Sequence, residues 1–326
     1  MRVIPDWFYS GHIRGLRARV TCFPHANRRT ISRDAVENRC ISFEKSGLSE
    51  ARIRIRVGRK ALKLMKVKTF VVASMLALAI FLFAQHHSNS LRAAGFTRVA
   101  DLTHELGPDT PNYEATTKPV FQAKDIATVD KAGYFAREIT LPEHFGTHID
   151  APAHFVQGLW TVDQIPVERL VAPLVVLDVR KGASQNPDYQ LSVDDIATWE
   201  KMNGQIPQGA VVIARTGWES RWNSGKDYRN ADGNGVLHFP GYSEEAARFL
   251  VQGRNAIAVG IDTLSIDYGP SKDYPVHKYT LSHSLYQLEN VANLANVPES
   301  GATVVVAPMK LEGGSGSPVR ILALIK

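Results

Sequence analysis

His144-Phe-Gly-Thr-His148-Ile-Asp150-Ala-Pro-Ala-His154 places three imidazoles and a carboxylate within one short stretch. They fall at even positions. In an extended segment alternate side chains share a face, so all four are expected to point into one cleft. A helix would align His144 with His148 but turn Asp150 well away, and Gly146 and Pro152 argue against a helix there. Imidazoles and a carboxylate converging on one side form the donor set of a zinc- or manganese-type site. Gly146 is expected where backbone passes close to a bound ion or substrate. Three of the chain's 11 histidines lie in this one segment, which weighs against an ordinary strand with solvated polar residues.

Downstream, short apolar runs rich in Val and Ile predict buried strands at 174–179, 210–214, 256–261, 303–307 and 320–325. Helices are predicted between them. Ser192 with Asp195 resembles a capping box opening a helix over 193–202. Ser243 with Glu244 and Glu245 opens another, which ends near Gly253 and has Ala246, Ala247, Phe249 and Leu250 as its apolar face. This alternation predicts an α/β fold in one domain over 95–326, without fixing the strand order.

The net charge of +6 is unevenly distributed. Residues 1–68 carry 17 Lys/Arg and 5 Asp/Glu, leaving 21 basic and 27 acidic residues in the remainder. The body is therefore acidic, which removes the argument for nucleic-acid binding that the overall charge would suggest. Met65-Lys66-Val67-Lys68 precedes an apolar run from Phe70 to Ala84, the layout of a secretory signal, and the run is shorter than the roughly 20 residues of a spanning helix. Residues 65–94 are read as a signal peptide or membrane anchor. Met65 is read as the true start and 1–64 as a basic leader outside the mature protein. The protein is expected to be exported, periplasmic or extracellular; the alternative is a membrane anchor through an uncleaved leader. Both cysteines, Cys22 and Cys40, lie in that leader. A metal in the body must then be held by His, Asp, Glu or backbone oxygen.

The 144–154 stretch resembles the signature of the metal-dependent cyclase family, which includes bacterial kynurenine formamidases and isatin hydrolases: His-x-Gly-Thr-His-x-Asp-x-Pro-x-His, matched here at every fixed position. The resemblance implies a single compact domain with a β-barrel-like core, flanking helices and a homodimeric or homotetrameric assembly. It also implies a second cluster, a His and a Glu twelve residues apart, matched by His277 and Glu289 with Asn290 following. Carried over, His144, His148, Asp150 and Glu289 would hold one divalent metal, and Asp150, His277 and Glu289 a second, zinc or manganese. Two bridging carboxylates suit such a pair, which lowers the pKa of water toward ~7 and polarises a carbonyl. His154 is expected to act as general acid and base toward a metal-bound hydroxide and the leaving nitrogen.

Other residues are assigned lesser parts. His283 is read as structural, His104 as structural or supporting, and Trp218 and Trp222 as packing. Asp262 and Asp267 either shape the site or form a turn. Gly313-Gly-Ser-Gly-Ser-Pro318 lacks the Lys of a phosphate loop; it resembles the family's pocket-lining segment before the last strand, with a plain turn as the alternative. Tyr113, in Thr110-Pro111-Asn112-Tyr113, stands where kynurenine formamidases carry a stacking Trp. Tyr113 and Phe155 are expected to bind substrate. The expected activity is hydrolysis of an aryl or cyclic amide, N-formylkynurenine-, isatin- or imide-like, at a C–N bond other than a peptide bond. The alternative is a non-catalytic periplasmic metal- or ligand-binding module, which would have no use for a proton shuttle at His154.

Overall fold

The computed structural model describes residues 92–114 and 120–326, together with 41–42, 54–55 and 75. Its contacts divide the chain into Met1–Phe81 and Leu82–Lys326. In the first unit, Ile41–Ser42 pairs antiparallel with Arg54–Ile55. The basic leader and the apolar signal run otherwise lie outside the described residues. Among the described residues no helix is long and apolar enough to cross a membrane.

The second unit is built on strands β1 (Arg98–Asp101), β2 (Gln122–Ala127), β3 (Ala136–Thr140), β4 (His148–Asp150), β5 (Val171–Asp178), β6 (Val211–Arg215), β7 (Ala258–Ile261), β8 (Tyr286–Glu289), β9 (Ala302–Pro308) and β10 (Gly316–Ile325). Seven of them run in the order β9-β5-β6-β7-β8-β4-β10, and β10 pairs back onto β9, closing a barrel to which β1 adds on β10. The β5 to β8 run is parallel and the remaining pairings are antiparallel. All five predicted strands are present, and the mixed α/β domain with a barrel core is the expected fold.

Alternation explains why those strands read as unbroken apolar runs. Leu174, Val176, Val211 and Ile213 belong to the core enclosed by the barrel. Their neighbours Val175, Leu177, Val212 and Ala214 pack outward against helices. Those helices are α1 (Val193–Asn203), α2 (Glu244–Arg248) and α3 (Pro275–Ser282). Ser192 and Asp195 form the predicted capping box of α1. Ser243 caps α2, which continues as a π-turn over Phe249–Gly253.

The same alternation positions the polar residues. Ile149 and Leu288 point into the barrel core. Their neighbours His148, Asp150 and Glu289 therefore lie on the outer face of adjacent strands, with Glu289 opposite His148 in register. The 144–154 stretch is extended only over β4, because Gly146 turns the chain at φ +63° before it and Pro152–His154 form a 3-10 turn after it. Pro152 starts that turn at a position where its missing N–H costs nothing. Gly146 is required by its left-handed φ, and a Cβ there would also meet Leu106.

Candidate metal centre

The four residues of the 144–154 stretch still converge, but from three directions. His148 and Asp150 come from β4, His144 returns from the turn before it, and His154 from the 3-10 turn after it. His144 Nδ1 lies 2.6 Å from Asp150 Oδ1, and the His154 ring stacks 4.0 Å from that of His144. The second cluster reaches the same spot from α3 and β8. His277 Nε2 lies 3.3 Å from Glu289 Oε1 and 3.7 Å from Asp150 Oδ2. His148 Nε2 lies 3.3 Å from Asp150 Oδ1 and 3.4 Å from Glu289 Oε2. His148, Asp150, His277 and Glu289 are all buried.

The outer hydrogen bonds fix how two of the imidazoles are presented. His148 Nδ1 is 2.9 Å from the Gly146 carbonyl, which only accepts, so Nδ1 carries the hydrogen. His277 Nδ1 likewise faces Asp267 Oδ2 at 2.7 Å. Each neutral ring then aims the lone pair of Nε2 at two buried carboxylates. Acceptors facing acceptors need positive charge among them. Protons can supply it: burial disfavours a charged His148, yet Asp150 and Glu289 carry its pKa up to about 10. Burial likewise opposes a charge on Asp150, but His148, His144 and His277 hold its carboxyl well below the usual range. Even so, Asp150 Oδ2 is buried without a hydrogen-bond partner among the described residues. A divalent cation would satisfy that oxygen and the lone pairs together. His148, Asp150 and Glu289 each offer a ligand atom within 4.8 Å of the others, and so do His144, Asp150 and His154. The donor set of nitrogen and oxygen ligands with anchored imidazoles fits such an ion.

These residues form the floor of a cavity of about 560 Å³, and all eight predicted site residues line it, Tyr113 and Phe155 included. The Phe155 ring lies 4.9 Å from that of His277 and 5.9 Å from that of Tyr274. Tyr274, which the sequence did not single out, sets its hydroxyl 3.2 Å from that of Tyr113. It takes a left-handed backbone, φ +48°, just before Pro275 opens α3. A bulky residue held in that region is a strained position.

Asp267 and Asp262 part company. Asp267 accepts from the backbone N–H groups of Val276 and His277 as well as facing the His277 ring, so it anchors both the helix and that ring. Asp262 accepts from Thr216 and Gly217 and builds the turn after β6. His104 stacks on Trp222 with centroids 3.7 Å apart, and burial takes its pKa down to about 4. Trp218 donates to the Tyr228 carbonyl inside a small aromatic cluster. His283 bonds back to the Tyr279 carbonyl at the end of α3. These are the structural parts expected of them. The Gly313–Pro318 segment does not line the cavity. It ends in the start of β10, beside β4, and holds the residues behind His144.

The family model for the Cyclase family, described as "Putative cyclase", matches residues 100–268. An isatin hydrolase of Roseibium aggregatum is 34% identical over 247 residues, covering 71% of this chain and 93% of that protein. A kynurenine formamidase of Polaromonas naphthalenivorans is 28% identical, covering 73% and 96%. Among solved structures, isatin hydrolase A from Labrenzia aggregata bound to benzyl benzoate superposes with a TM-score of 0.67 at 37% identity, covering 74% of this chain and 99% of that one. A structure described as a potential metal-dependent hydrolase with cyclase activity has a TM-score of 0.53 at 29% identity, covering 70% and 98%.

Proposed function

This chain belongs to the cyclase family, as a metal-dependent hydrolase of C–N bonds other than peptide bonds, and from that premise we propose that its substrate is a cyclic aryl amide of the isatin or imide type. The observation that carries this reading is the placement of aromatic rings over the ligand cluster. Phe155 and Tyr274 wall the cavity directly above His277, and the paired hydroxyls of Tyr113 and Tyr274 give that wall a polar edge. A flat aryl ring can pack against such a wall, with its ring carbonyl toward the hydroxyls.

We propose two divalent ions, zinc or manganese, with His144, His148, Asp150 and Glu289 holding one and Asp150, His277 and Glu289 the other. Bound there, such ions polarise a carbonyl and lower the pKa of water toward about 7. The chain's own residues do the rest. Phe155 and Tyr113 orient the ring. His154, at the open side of the cluster, takes a proton from the attacking water. It then passes that proton to the leaving nitrogen as the C–N bond breaks, giving an amine from an amide or an amide from an imide; the new carboxylic acid releases its remaining proton to solvent as the carboxylate. Although part of its surface is open to solvent, crowding by the cluster desolvates the His154 ring and lowers its pKa, so the ring is neutral and ready to accept at neutral pH.

The test is elemental analysis of the purified protein followed by assays with isatin, cyclic imides and formyl anilides. Close to two ions per subunit and turnover of the cyclic amides are expected. One ion or none after metal-replete purification defeats the dinuclear assignment. Hydrolysis of formyl anilides alone shifts the substrate to the open-chain amides. Bound metal with no turnover of any of them favours the binding-module alternative.

We further propose a homodimer or homotetramer joined through the β2–β3 hairpin. A two-stranded ribbon is marginal by itself in water, yet this one exposes Ile126, Val129, Tyr134, Phe135 and Ile139, each more than half accessible. Its charges balance, with Lys124, Lys131 and Arg137 against Asp125, Asp130 and Glu138, as a surface that meets its own copy requires. Sedimentation of the purified protein should show at least a dimer, and Ile126→Lys with Ile139→Lys should yield monomers. A monomeric wild type would rule the hairpin out.

Export is the remaining proposal, supported by the Met65–Ala84 layout. A chain started at Met65 should leave the cytoplasm with a mature N-terminus near about residues 85–95. Peptides from 1–64 in the mature protein would overturn it.

A further inference from the structure

Behind His144 lies a hydrogen-bonded chain that the reaction as described does not use. The Glu143 carboxylate accepts through Oε2 from the backbone N–H of Ser315 at 2.9 Å, from that of Gly316 at 3.3 Å and from the Ser315 hydroxyl at 2.7 Å. A hydroxyl has one hydrogen, and a carboxylate can only accept, so Glu143 takes it. Ser315 Oγ also lies 2.9 Å from His144 Nε2. Toward that nitrogen it has only a lone pair left, so Nε2 carries the hydrogen. In the neutral ring the lone pair is then on Nδ1, the atom 2.6 Å from Asp150 Oδ1. His148 and His277 are held the other way round, with Nδ1 tied outward and Nε2 presented. Backbone shape supports the same pose. A Cβ at Gly316 would come 2.6 Å from His144 Cε1 and 2.9 Å from Nδ1, so β10 is bare where the ring lies.

We propose that Glu143 and Ser315 are positioning residues that lock His144 as its Nε2–H tautomer and so commit Nδ1, rather than Nε2, to a divalent cation beside Asp150. This rests on the reading of the cluster as a cation site. It gives the Gly313–Pro318 segment a task that neither a phosphate loop nor a pocket wall describes. It also explains why a carboxylate precedes the first histidine: without Glu143 to take its hydrogen, the Ser315 hydroxyl could turn and donate to the ring, and the tautomer would no longer be fixed.

The experiment uses Zn2+ alone, which is diamagnetic, with two readouts: affinity by competition with a chelator, and imidazole 15N NMR of the zinc-loaded protein. In the wild type, His144 should show a protonated Nε2 and an unprotonated Nδ1, opposite to His148 and His277. Ser315→Ala keeps the two backbone donors to Glu143 and should lose about 10–100-fold in Zn2+ affinity, as removing a ligand's orienting partner does. Ser315→Thr, which restores the hydroxyl, should recover most of it, and Glu143→Gln should act in the same direction as Ser315→Ala. If Ser315→Ala binds Zn2+ as tightly as wild type, or His144 carries its hydrogen on Nδ1, the assignment is overturned while the cation site stands. A wild type that takes up no Zn2+ overturns both.

Discussion

Asp150→Asn should strip the protein of most of its metal and reduce turnover to background, a larger loss than that of His277→Ala. The reason is position. Asp150 is the one carboxylate whose oxygens face His144, His148 and His277 together, at 2.6, 3.3 and 3.7 Å, and its Oδ2 has no hydrogen-bond partner among the described residues. An amide in its place keeps the size but replaces one oxygen with a donor nitrogen and removes the charge. Residues that only orient a ligand change metal affinity by about 10–100-fold, so a shared ligand should cost more than ~10²-fold. His277→Ala leaves His144, His148, Asp150 and Glu289 in place and should release only one of two ions. Metal content of both variants by elemental analysis, beside kcat on a working cyclic amide, makes the comparison. The metal-free melting temperature of Asp150→Asn should fall below that of the metal-free wild type while the apo fold survives, because the change removes an ionised carboxylate that His148, His144 and His277 stabilise but also relieves its repulsion with Glu289. A collapse of the apo fold would mean the residue is structural. Full metal retention would mean the cluster binds without it.

That arrangement was partly legible before the structure. The 144–154 stretch could be read because it places ionisable side chains at buried positions of a short strand, where packing alone would select apolar ones. The runs that became β5, β6 and β7 were legible because strands packed on both faces are apolar at consecutive positions. His277 and Glu289 were found only by resemblance. Their spacing spans the end of α3, a turn and all of β8, so no single periodicity links them. Asp267 and Tyr274 had no local signal separating them from turn residues, since their roles arise only when α3 is laid over β4 and β8. The ends of the histidine stretch were misread for a related reason. An even spacing suggested one continuous strand, but the left-handed turn at Gly146 and the 3-10 turn at Pro152 bring His144 and His154 back by folding rather than by alternation.

His154→Ala should keep its metal while activity falls by ~10²–10⁴-fold, the usual contribution of a positioned proton shuttle. His148→Ala should lose both. The two histidines share a motif but not an environment. His148 is buried against Asp150 and Glu289 and tied at its far nitrogen to Gly146. His154 is exposed, stacked on His144 and edge-on to Phe155, with no hydrogen bond holding its ring among the described residues. A group that must carry a proton between water and a leaving nitrogen needs that freedom and that open side, whereas a primary ligand gains from being anchored. The competing role is real, because His154 can offer an atom within 4.8 Å of those from His144 and Asp150. The paired measurement decides between them. Metal loss in His154→Ala as complete as in His148→Ala makes His154 a ligand. The proton would then need another carrier, and the Tyr113–Tyr274 hydroxyl pair, which lines the same cavity, would be the next groups to replace.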